Sequence, residues 1–222
     1  MEFLQLLPVI ALPLLLAITL HEAAHAWVAY KLGDNTAKLL GRVSFNPLVH
    51  IDLFGTILLP LMLMMSGGFL FGYAKPVPVN YNNLNSPRRD MVFVALAGPA
   101  ANILLVVFAA LLLHVAAFLP NTAGMWLVEN IKYAIFINAL LAVFNMLPIP
   151  PLDGGRVAVG VLPDIIARPL SRLEPYGMFI IIGLFLLPML GRQIGMDLNI
   201  LWAVLMPIID LVQHLAVWIA PR

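Results

Sequence analysis

The chain contains no cysteine, which excludes disulfides, thiolate metal ligands and a cysteine nucleophile. Charge is almost as scarce. Only 10% of residues are Asp, Glu, Lys or Arg against 62% hydrophobic, too few to coat a globule of 222 residues. Net charge is +1, so no strong field points to nucleic acid or to an acidic partner. The N-terminus lacks the basic flank and small-residue cleavage site of a signal peptide, since only Glu2 precedes the apolar run; a retained first helix is expected. No internal repeat or interdomain hinge is visible, so one domain over 1–222 is the economical reading, with a core near 3–168 and accessory helices near 175–219.

What is present is apolar. Mean hydropathy is +0.99, which predicts an integral membrane protein. Long apolar segments fall at about Phe3–Tyr30, Leu53–Phe71, Met91–Leu119, Trp126–Leu147, Tyr176–Leu190 and Leu198–Ile219. Most approach the ~20 residues that cross a bilayer. The fold class expected is therefore all-α, a polytopic bundle of five to six membrane segments. Between the first two segments, Lys38–Phe45 alternates loosely and is closed by Asn46-Pro47, which predicts a short β-strand or hairpin. Gly72–Pro87 is rich in Pro and Asn and reads as an extended loop.

Basic residues set the topology. Lys31, Lys38 and Arg42 follow the first segment, Lys75, Arg88 and Arg89 the second, and Arg156, Arg168 and Arg172 the fourth. Positive residues favour the cytoplasm, so all three loops are expected on that side of the cell membrane. A full crossing by Leu53–Phe71 would separate the first two loops. Gly55, Pro60, Gly67 and Gly68 also weaken a straight helix there. A re-entrant segment resolves the conflict, since non-helical backbone is tolerated at depth where protein covers it.

One short stretch breaks the first apolar run: His21-Glu22-Ala23-Ala24-His25. On a continuous helix the two histidines share a face and can grip one metal ion. Glu22 lies one position round, where a carboxylate can serve as general base without ligating. Ionisable groups in lipid are costly and mark function. A chance HExxH with each histidine bonded to a backbone carbonyl is the bland alternative.

A catalytic zinc usually takes three protein ligands. His114 and His214 are single histidines in apolar helices, and Glu129 and Asp197 sit near segment ends. His50 and Asp52 follow a predicted turn and stay open as candidates. Asp153 is favoured because it lies in Asn145-Met-Leu-Pro-Ile-Pro-Pro-Leu-Asp153-Gly-Gly-Arg156, directly after an apolar helix. Its prolines stop that helix and leave extended backbone, from which a carboxylate can point sideways into a bundle. Capping of the next helix is compatible with the same residue. Orientation agrees: His21 comes about 18 residues after Phe3, ~27 Å of helix towards the basic side. In the re-entrant topology Asp153 leaves the fourth segment on that side too.

HExxH in a transmembrane helix with Leu152-Asp153-Gly154 far downstream resembles the site-2 protease family of intramembrane zinc metalloproteases. Ala97-Gly-Pro-Ala-Ala-Asn102 and Phe144-Asn145 match further family motifs. The likeness runs from about Leu14 to Arg156, without the PDZ or CBS domain of many relatives. It implies a three-helix core bearing His21, Glu22, His25 and Asp153, one zinc ion per chain, and cleavage of single-span membrane proteins near the cytoplasmic face. By the same likeness Asn102 and Asn145 would support the site, holding substrate backbone or an oxyanion; interhelical hydrogen bonding is the other reading of Asn102. An unwound substrate is expected to add to an edge at Leu40–Phe45. The rival classes are a membrane metal-binding or transport protein, which does not need Glu22, and a non-catalytic pseudoprotease, which would normally have lost one of the four residues. No oligomeric state is implied.

Overall fold

The computed structural model describes residues 3–58, 75–116 and 118–220. Its frame is a bundle of long helices: α1 (Phe3–Lys31), α3 (Pro87–Ala116), α4 (Asn121–Asn145), α7 (Gly177–Gln193) and α8 (Ile200–Ile219). Short helices α2 (Thr36–Leu39), α5 (Asp153–Val161) and α6 (Asp164–Ser171) lie in the connections. Five stretches are long and apolar enough to cross a membrane: Val9–Lys31, Pro87–Ala116, Asn121–Asn145, Asp164–Gln193 and Ile200–Ile219. The protein is a multi-pass membrane protein.

Helix ends follow local chemistry. α1 stops at Gly33, whose φ of 113° favours glycine. A Cβ there would also stand 2.9 Å from the Asn83 carbonyl oxygen. α3 starts with Pro87 in its first turn, where the missing N–H costs nothing. Fully buried Asp90 reaches back from the first turn to accept from the Ser86 N–H at 2.8 Å, satisfying one of the donors at the helix start. α4 ends at Asn145 because Pro148, Pro150 and Pro151 cannot continue it.

In lipid, helices associate through close packing rather than through apolarity as such. Accordingly, α1 buries the small residues Ala17, Ala23, Ala26 and Ala29 and exposes Leu12, Leu16 and Trp27. The apolar core lies between α3, α4 and α8, around Ala109, Ala110, Ile135, Ala139, Leu205 and Ile209.

Hydrogen bonds gather the basic loops at one end of the bundle. The Asn85 N–H donates to the Leu32 carbonyl at 2.9 Å, and that of Lys75 to the His50 carbonyl at 3.0 Å. Arg42, buried, clasps the carbonyls of Val49, Lys75 and Pro76. Arg88 donates to Gly160 O, Leu162 O and Asp164, which brings the α5–α6 connection to the same end.

Two expectations need revision or fall outside the described residues. No strand occurs among the described residues. Lys38 and Leu39 finish α2, and the chain from Leu40 to Phe45 turns irregularly because Gly41 takes φ 67° and Arg42 is drawn inward to carbonyls. Leu40–Phe45 therefore offers no sheet edge. Of the expected re-entrant segment, Leu53–Leu58 forms a π-helical stretch, and residues 59–71 lie outside the described residues.

Candidate metal centre

α1 places His21 and His25 one turn apart, facing α3 and the start of α5. Their Nε2 atoms are 3.0 Å apart. Asp153 Oδ2 lies 3.2 Å from Nε2 of His21 and 3.3 Å from Nε2 of His25. All three residues are buried. Asp153 arrives as the first residue of α5, a position where a carboxylate also suits the helix dipole. It sits there rather than on an extended strand, and a Cβ on Gly154 would stand 2.2 Å from the Met146 carbonyl oxygen, so only glycine lets the chain turn this tightly.

Three observations fit this trio to a metal ion. Asp153 Oδ2 is buried with no hydrogen-bond partner, although an unpaired buried carboxylate oxygen is costly. Tetrahedral donors at ~2.0–2.1 Å from zinc stand ~3.3 Å from one another, close to the edges seen. Finally, α3 presents Gly98 to the trio, and a Cβ on Gly98 would come within 2.4 Å of His25 Nε2 and 2.5 Å of His21 Nε2. The backbone leaves room where an ion would be.

Each imidazole is held from behind. His25 Nδ1 lies 2.6 Å from the Val94 carbonyl oxygen, which can only accept, so Nδ1 carries the proton and Nε2 keeps its lone pair. His21 Nδ1 lies 2.6 Å from Asn102 Oδ1. Asn102 thus meets the centre through His21.

Asn145 is half-buried and donates to the Leu141 carbonyl of its own helix at 2.9 Å. Glu22 is half-buried next to His21, and Oε2 accepts from the Val77 N–H at 3.0 Å. The run Lys75–Asn80 therefore passes directly over it. His50 is not in the trio: its Nε2 bonds the Ser44 carbonyl at 2.9 Å, and the side chain is buried inside the loop. Asp52 accepts from the Gly55 N–H. His114 and His214 bond carbonyls of their own helices, and Glu129 pairs with Lys132.

Sequence reasoning missed Gly98, Val77 and Asn138 as contributors. Asn138 carried a signal: an amide in an apolar helix needs a partner, and it lies two turns before Asn145. Gly98 lay inside the Ala97–Asn102 motif, but the motif did not say that its missing side chain was the point; Val77 carried no signal, because it acts through its backbone.

Fold and site together define a class, a membrane helix bundle that buries a His-His-carboxylate trio beside a glutamate. The chain belongs to peptidase family M50, the site-2 protease family, whose model matches residues 9–121 and 115–189. It is 38% identical over 198 residues to "Putative zinc metalloprotease YwhC" of Bacillus subtilis (strain 168), covering 84% of either chain. It is 32% identical over 180 residues to "Putative zinc metalloprotease Rip2" of Mycolicibacterium smegmatis, covering 80% of this chain and 66% of that one. No solved structure matches. By family the protein is a zinc metalloprotease.

Proposed function

We propose that this protein hydrolyses peptide bonds in or near transmembrane segments of other membrane proteins, single-span ones above all. His21, His25 and Asp153 hold one zinc ion, and Glu22 is the general base. The observation that carries the reading is the buried trio with its unpartnered Asp153 oxygen and the gap at Gly98.

Zinc in such a site supplies a Lewis acid and a water acidified towards pKa ~7. Glu22 does the proton work. Its carboxylate takes the proton of the attacking water and returns it to the departing amine. Asn102 holds His21 and does not reach substrate. Asn145 uses one amide bond on Leu141 and keeps its place at the turn before Asp153, where it can hold substrate backbone. A substrate helix must unwind to expose its carbonyls, so Gly- or Pro-containing segments are cut most readily.

The site faces the cytoplasm. Support comes from the hydrogen bonds that bring all three basic loops to the end of the bundle where the trio lies, and from the positive-inside rule. The two flanks of Leu53–Phe71 meet there as well, through Lys75 and His50, which supports re-entry over a full crossing.

Glu22→Gln tests the reading. Gln keeps the shape and can still accept from the Val77 N–H but cannot take a proton at neutral pH. Cleavage of a single-span reporter in detergent should fall ~10²–10⁴-fold, with zinc content unchanged. Near-normal cleavage with zinc in place would sink the metalloprotease mechanism and favour a metal-binding or transport role.

A further inference from the structure

A chain of amides runs from α4 through α3 to the metal centre. Asn138 on α4 donates from Nδ2 to the Ala134 carbonyl at 2.8 Å. Its Oδ1 therefore faces α3, where it accepts from Asn102 Nδ2 at 2.8 Å. The same Asn102 nitrogen lies 3.3 Å from the Ala17 carbonyl oxygen on α1. Both acceptors pull the NH₂ side of Asn102 away from His21, so Oδ1 must face Nδ1 of His21, 2.6 Å away. A carbonyl oxygen can only accept, so Nδ1 holds the proton and the Nε2 lone pair points at Asp153 and His25.

Resting on the reading of the trio as a metal site, we propose that Asn138 is a positioning residue for metal binding: it fixes the amide orientation of Asn102 and, through it, the tautomer of His21. The need is specific to His21. His25 meets a backbone carbonyl, which cannot flip, whereas Asn102 is a two-faced side chain. Flipped, Asn102 would present NH₂ to Nδ1, and the imidazole would turn an N–H into the metal site. Ala17 alone offers a long 3.3 Å contact against that flip; Asn138 offers the short one. Both amides are sealed from solvent, Asn102 at 0% and Asn138 at 3% exposure, so water cannot substitute for either partner.

The test is cobalt(II) affinity of the full chain in detergent, by competition with a chelator, together with the cobalt absorption band and thermal unfolding of the metal-free protein. Asn138→Leu and Asn138→Ala should each weaken cobalt binding ~10–100-fold and shift the band, as loss of an outer-shell partner does. Asn138→Asp keeps the acceptor for Asn102 and should stay within about 3-fold of wild type, well below the ~10–100-fold loss expected when an outer-shell partner is removed. In an Asn102→Ala background, Asn138→Ala should add little, because the two act as one unit. Wild-type affinity in both Asn138→Leu and Asn138→Ala overturns the proposal. So does equal weakening by Asn138→Asp, or a full additional loss in the Asn102→Ala background, since either marks general packing. Wild-type protein that binds no cobalt, or binds it equally after His21→Ala, overturns the metal reading itself and the proposal with it.

Discussion

Gly98 and His25 stand so close that a Cβ on Gly98 would lie 2.4 Å from Nε2 of His25. Helix α3 has a residue without a side chain where the two histidines and Asp153 converge, and any methyl group there competes for the same volume as an ion. Gly98→Ala should therefore empty the site. Alanine is the better helix former by ~1 kcal/mol, so α3 should persist and circular dichroism should not change. Metal content is the readout, and we expect it to drop from about one per chain to near zero. Full occupancy in Gly98→Ala would mean that the trio does not bind where its lone pairs point.

The choice between Asp153 and His50 as third ligand gives a second prediction. Asp153→Ala removes the only carboxylate in the trio and should abolish both metal retention and proteolysis. His50→Ala removes a bond to the Ser44 carbonyl inside the loop, costing ~1 kcal/mol of local stability while leaving occupancy near that of wild type. Metal analysis of the two purified variants decides; the opposite ranking would hand the ligand role to His50.

Topology is accessible because the chain is free of cysteine. Single cysteines at Asn35, Asn82 and Ser171 should all be protected from an impermeant thiol reagent in intact cells and labelled once the membrane is permeabilised. Labelling of Asn82→Cys but not Asn35→Cys in intact cells would show that Leu53–Phe71 crosses fully.

The residues that the fold brings together as a buried trio were legible in the sequence because ionisable side chains are rare in lipid. His21, Glu22, His25 and Asp153 stand out because membrane interiors admit few charged groups without a task, and the helical period puts both histidines on one face. The long helices were legible for the related reason that a bilayer requires runs of apolar residues. The strand at Lys38–Phe45 failed because loose alternation is weak evidence over so few residues. There Gly41 at φ 67° and the inward pull on Arg42 outweighed propensity. Contributions made through backbone, from the Val77 N–H and the Val94 carbonyl, leave no residue-type signature to read, whereas the gap at Gly98 was marked by its motif but not by its role.

The last prediction concerns what holds the Lys75–Asn80 run over Glu22. Asp34, fully buried just past α1, accepts from the Asn80 N–H at 2.8 Å, the Asn83 amide at 3.0 Å and the Thr36 N–H at 3.0 Å. Burial would raise this carboxyl, but bonds from Thr36, Asn83 and Asn80 favour its charged form and hold it below the ordinary aspartate value. A depressed pKa in the folded chain means that folding releases a proton at low pH. Stabilisation from Asp34 is thus complete above the unfolded value of ~3.9 and fades as pH falls through the lower, folded one. Amide hydrogen exchange at Asn80, corrected for intrinsic chemistry, should be slow and flat from pH 5 to 8, quickening only below about pH 4. Asp34→Ala leaves several donors without an acceptor, on the order of 3 kcal/mol, so protection at Asn80 should drop ~100-fold across the whole range. Because Val77 lies in the same run, the variant should also lose reporter cleavage without losing metal. Protection at Asn80 that survives Asp34→Ala would mean that Arg42, through the Lys75 and Pro76 carbonyls, holds the run by itself.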